Sequence, residues 1–141
     1  MQNLKKTFTF SSRVLLLAAA LIGSPACFSE PKKEDIPNLV GVWTGENTTY
    51  SEQKGHSSWA KTVEISEQKG RIFKGHFTFS GGTKHFFGAI YPDNASFTWV
   101  GADSKGYNHG RIFSKDHVSA CYVESGAEAT VGCADLVRKK P

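Results

Sequence analysis

From Leu39 onward, apolar and polar residues alternate in short bursts. In "RIFKGHFTF", Phe73, Phe77 and Phe79 fall on one face and Lys74, His76 and Thr78 on the other, while in "SFTWV" Phe97 and Trp99 alternate with Ser96 and Thr98. A period of two marks a strand with one buried and one solvated face. Eight segments rich in β-formers follow one another, at approximately 39–46, 57–65, 71–79, 84–91, 95–101, 107–113, 117–124 and 129–138. Turn chemistry separates them in "EQKG", "SGGT", "PDN", "DSKG", "SKD" and "SGAE". These short connections predict antiparallel neighbours in sequence order. The first connection is the long one, Asn47 to His56, and reads as a lid or contact loop. Glycines inside the segments, Gly75, Gly88, Gly110 and Gly132, suit the bends of a closed sheet.

Eight antiparallel strands leave two open edges unless the first pairs with the last. The predicted fold is therefore all-β, an eight-stranded antiparallel up-and-down barrel over residues 39–138. No amphipathic helical segment of useful length interrupts it.

Ahead of the barrel the pattern changes. Lys5, Lys6 and Arg13 precede the apolar run "VLLLAAALIG", and "SPA" follows with small residues. Residues 1–26 read as a secretory signal peptide, and residues 27–38 as a flexible, charged linker. The apolar run is short for a bilayer span, so no transmembrane helix is expected. The predicted location is periplasmic or secreted. Residues 1–26 hold three of the 17 basic residues and none of the 13 acidic ones, so the remainder carries 14 basic against 13 acidic, a net charge of +1. The apparent basicity thus belongs to the leader, and nucleic acid is not an expected partner.

Cys121 and Cys133 flank "YVESGAEATVG". A hairpin centred on Ala127 sets them opposite each other, and export to an oxidising compartment predicts a disulfide. Cys27 stands at the cleavage point, where a lipid anchor would account for it. Ser24 occupies the position where lipoprotein signals usually carry leucine and Pro25 follows, so the match is poor and ordinary cleavage after Ala26 fits at least as well.

The run Gly41-Val42-Trp43 near the start and Arg138 at the end resemble the closing motif of the calycins, the lipocalin and avidin superfamily. The resemblance implies that the Trp43 indole plugs one end of the barrel with Arg138 packed across it. "GRIFKGHFTF" and "FFGAI" are similar to avidin strands. However, Phe77 stands where avidin carries a ligand-binding tyrosine, and "TGENTTYS" lacks the Asn and Ser spacing, so biotin is not carried over. The pattern over residues 39–138 also resembles a group of uncharacterised exported bacterial proteins.

The chemistry-bearing residues are sparse. Five histidines show neither His-x-His nor His-x-x-x-His spacing, so no metal is expected. A Gly-x-Ser-x-Gly elbow is absent, and Glu64 and Glu67 read as solvated turn residues. The chain reads as non-enzymatic, with no cofactor implied. A small barrel that keeps a cup would bind one apolar or amphipathic molecule. Trp59, Trp99, Tyr107 and Tyr122 are the candidate walls, and His76, His109 and Arg111 the polar contacts. The alternative is a protein-binding module, such as a hydrolase inhibitor, acting through an exposed apolar loop tip. A membrane contact would come only through a lipid at Cys27.

Overall fold

A computed structural model describes residues 35–79 and 81–140 of the 141-residue chain. The leader, Cys27 and most of the segment read as a linker lie outside the described residues. Eight strands run in sequence order: β1 (Gly41–Ser51), β2 (Gly55–Lys69), β3 (Ile72–Phe79), β4 (Gly82–Ile90), β5 (Ser96–Gly101), β6 (Tyr107–Ser114), β7 (His117–Glu124) and β8 (Thr130–Arg138). Each pairs antiparallel with the next, and β1 pairs with β8, closing the barrel. The all-β, up-and-down architecture is the one the alternation predicts, and no helix occurs among the described residues.

The first connection differs from its expectation. The predicted loop from Asn47 to His56 is mostly sheet: β1 runs to Ser51, β2 begins at Gly55, and only Glu52, Gln53 and Lys54 turn between them, with Gly55 at a φ of 63°. The run "NTTYS" looks like a loop because it is polar. It is nonetheless rich in β-branched and aromatic residues, and it pairs on both sides, Asn47 with Trp59 and Ala134, and Tyr50 with His56 and Val131. Bulges interrupt the register between Ile65 and Glu67 and between Ile112 and Ser114.

The closed end is built around Trp43, which is 1% exposed and clusters with Leu39, Val63, Ile65, Phe73, Ile90, Phe97, Val118 and Leu136. Its indole N–H donates to the Leu39 carbonyl at 2.9 Å, so the ring is buried without an orphaned donor. The Arg138 guanidinium lies 4.1 Å from the Trp43 ring centroid. It also donates to the carbonyls of Asn38 (2.8 Å), Val40 and Lys115 (2.9 Å). A side chain at Gly41, whose φ is 140°, would meet the Arg138 guanidinium at 2.8 Å. Glycine there leaves room for the arginine and accepts a backbone angle that other residues avoid. Residues 36–38 are held to the same end: Ile36 packs on the core, and Gln68 donates to the Pro37 carbonyl at 2.8 Å.

Cys121 and Cys133 are direct cross-strand partners on β7 and β8 and form a disulfide. Cys133 is exposed, whereas its neighbours Gly132, Ala134 and Leu136 alternate with it toward the interior; the bridge therefore lies on the outer surface. A row of exposed apolar residues crosses that surface through paired positions, Phe87, Val100, Tyr107, Val123, Val131 and Tyr50.

Trp43→Ala should lower the unfolding free energy by about 3–5 kcal/mol, read from denaturant melts, and a wild-type melt would remove the plug from this account. Reduction of the disulfide should cost about 3 kcal/mol by loop-closure entropy, read as the difference between melts with and without reductant.

Candidate functional site

Along the barrel axis the inward positions change character. At the closed end they are apolar. Toward the other end, where β1, β3, β5 and β7 finish, the inward residues include Asn47, Lys61, Asn108, Tyr122, Glu124 and Thr130. They line a cavity of about 260 Å³ walled by Trp59, Phe77 and Phe79. A second depression of about 530 Å³ shares Thr49, Trp59, Phe79 and Thr130 with it and extends over the lip to Ser57, Ser58 and Glu128. The barrel is thus filled at one end and cupped at the other.

An aromatic stack forms the floor. Phe86 lies 4.9 Å from Trp99 and 6.4 Å from Phe77, and Trp99 lies 5.4 Å from Phe97, all near parallel. Phe73 meets Phe86 and Phe97 edge-on at 6.2 Å. The walls continue upward through Phe79, 5.9 Å from Phe77 and 6.4 Å from Trp59.

Lys61 stands between floor and wall. It is 5% exposed, and its ammonium lies 5.1 Å from the Phe77 centroid, 5.8 Å from Trp59 and 6.0 Å from Trp99. Among the described residues no carboxylate or hydrogen-bond acceptor reaches it. Burial pulls its pKa from 10.5 down to about 8. Among the described residues, two polar side-chain atoms in this region are fully buried without a hydrogen-bond partner, the Trp99 indole nitrogen and the Asn108 side-chain oxygen. At the lip the Tyr122 hydroxyl donates to Glu124 and lies 3.1 Å from the Ser104 hydroxyl. Burial, and then Glu124, push the Tyr122 phenol upward.

The seven candidate contacts divide by strand parity. Trp59 and Tyr122 line the cup, and Trp99 belongs to its floor. Tyr107, 56% exposed, and His109 and Arg111 sit on the outer surface of β6, because the inward positions there are Asn108 and Gly110. His76 also faces outward, 3.8 Å from Glu64, with its ring 6.0 Å from that of His85. These four do not meet the other three. Sequence reasoning missed Lys61, Asn47 and Asn108. A signal existed for Lys61, which shares the parity of Trp59, Val63 and Ile65.

No family model matches the chain, and no curated protein does. Solved structures similar to it include the following two. One is a crystal structure of a protein of unknown function from the DUF3598 family of Nostoc punctiforme, 12% identical with a TM-score of 0.55, covering 72% of this chain and 47% of its own. The present chain spans about half of that neighbour's length. The other is a redesigned β-barrel, 13% identical with a TM-score of 0.48, covering 72% of this chain and 92% of its own. The first likeness bears on the fold alone.

A buried, unpaired cation destabilises the fold, and this is measurable. The folded-state pKa of Lys61 lies below its unfolded value, so between pH 8 and 10.5 the unfolded chain binds the extra proton and stability rises with pH. Lys61→Met should therefore stabilise the protein at pH 7 by on the order of 3 kcal/mol. The gap between wild type and variant should close as the pH climbs to 10.5, read from melts across that range.

Proposed function

We propose that this protein is an exported, non-enzymatic barrel of the calycin type that takes a small amphipathic molecule into its open end. The supporting observation is the aromatic-walled cavity of about 260 Å³, which shares Thr49, Trp59, Phe79 and Thr130 with an adjoining depression of about 530 Å³, the vestibule. The inner volume falls just short of the roughly 300–1,000 Å³ of drug-sized sites, so a ligand would place one end inside and the remainder in the vestibule. The Trp43 and Arg138 plug supports the calycin reading, and the Cys121–Cys133 disulfide is compatible with a periplasmic or secreted location. The protein-binding alternative called for an apolar loop tip. The turns at the open end are instead polar, as in Glu52, Gln53 and Lys54, and Asp103, Ser104 and Lys105.

Native mass spectrometry of protein expressed with export should find a small molecule released on denaturation. Trp59→Ala should weaken its retention about tenfold or more, ~1.4 kcal/mol, with little change in the melt. Protein that is consistently empty would move the reading to the interaction module.

A further inference from the structure

The cup holds a charge that no described residue answers. Lys61 is 5% exposed, and its surroundings are three aromatic rings rather than an acid. Rings at 5.1–6.0 Å offer the ammonium weak compensation compared with a hydrogen-bonded anion. Among the described residues, the other charged groups lining the cavity are Lys84 and Glu124, opposite in sign, which leaves one positive charge uncompensated. Among the described residues, the Trp99 indole N–H nearby is a fully buried donor without an acceptor. Native interiors rarely keep such groups unanswered without a use for them.

We infer that the ligand is a monocarboxylate with an apolar body, whose head group enters first and pairs with Lys61 while its aromatic or short acyl body lies against Trp59, Phe77 and Phe79. This rests on the cup being a ligand site, and it names the class of molecule. A single unpaired ammonium suits one negative charge. A phosphate would bring more charge than the net +1 of this cavity, and a neutral alcohol would accept a hydrogen bond from Lys61 without answering its charge. The inward position of Lys61 places the head deep and the tail toward the vestibule, which sets the ligand's direction in the barrel.

The test compares 3-phenylpropionate with 3-phenylpropanol, which share a body and differ in the charge of the head, by calorimetry and by the fluorescence of the cup tryptophans. The acid should bind at least tenfold more tightly than the alcohol. Lys61→Met should abolish that preference, so that acid and alcohol bind alike, and Lys84→Met should preserve it. Melts establish that each variant folds, and Lys61→Gln is read in place of Lys61→Met if the latter does not. Equal binding of acid and alcohol, or a preference that survives loss of Lys61, overturns the carboxylate inference and leaves the cup reading intact. Failure of both probes, together with failure of a longer fatty acid and its alcohol, overturns the cup reading as well.

Discussion

Every other feature of the molecule presupposes the pairing of β1 with β8. It runs from Trp43 opposite Arg138 to Ser51 opposite Thr130, and it turns a meander into a closed surface with no exposed edge. Closure brings the two ends of the domain together, and Arg138 uses that proximity. It covers the Trp43 ring and collects carbonyls from the entering chain and from the β6–β7 turn. Gly45 belongs to the same constraint, since a side chain there would collide with the Asp135 carbonyl across the seam. Without the seam there is neither a sealed end nor a cup.

The strands were legible because their alternation is regular where one face is apolar, as in Phe73 to Phe79, and in Phe97 and Trp99 set between Ser96 and Thr98. The disulfide followed from hairpin symmetry, and the contact of Trp43 with Arg138 from the resemblance to a barrel-closing motif. The extension of β1 and β2 was hidden because the inward residues near the mouth are polar, so the apolar signal fades where the sheet continues. The candidate site suffered from the same cause. Aromatic and polar residue types mark candidate chemistry, but parity along each strand decides which of them meet. Tyr107, His109 and Arg111 share one face of β6, and Asn108 between them takes the interior.

The two ends of the barrel divide stability from recognition. At the closed end Trp43 and the apolar side chains around it bury their surface with the indole donor satisfied. The cup gives up some of that stability by burying the Lys61 ammonium among aromatic rings and, among the described residues, leaving the Trp99 nitrogen without a hydrogen-bond partner. Binding sites are commonly the less stable part of a fold for this reason. The outer disulfide joins the two strands that carry Tyr122, Glu124 and Thr130 to the lip, so it steadies that rim from outside without occupying the interior.

The route by which the backbone arrives has a geometric consequence. Asn38 is bonded to Arg138, and Lys139 donates to the Val42 carbonyl, so both the incoming and the outgoing chain join the domain at the plugged base. A tether attached through either terminus would therefore hold the vessel by its foot, and the rim would stand free toward the surrounding medium.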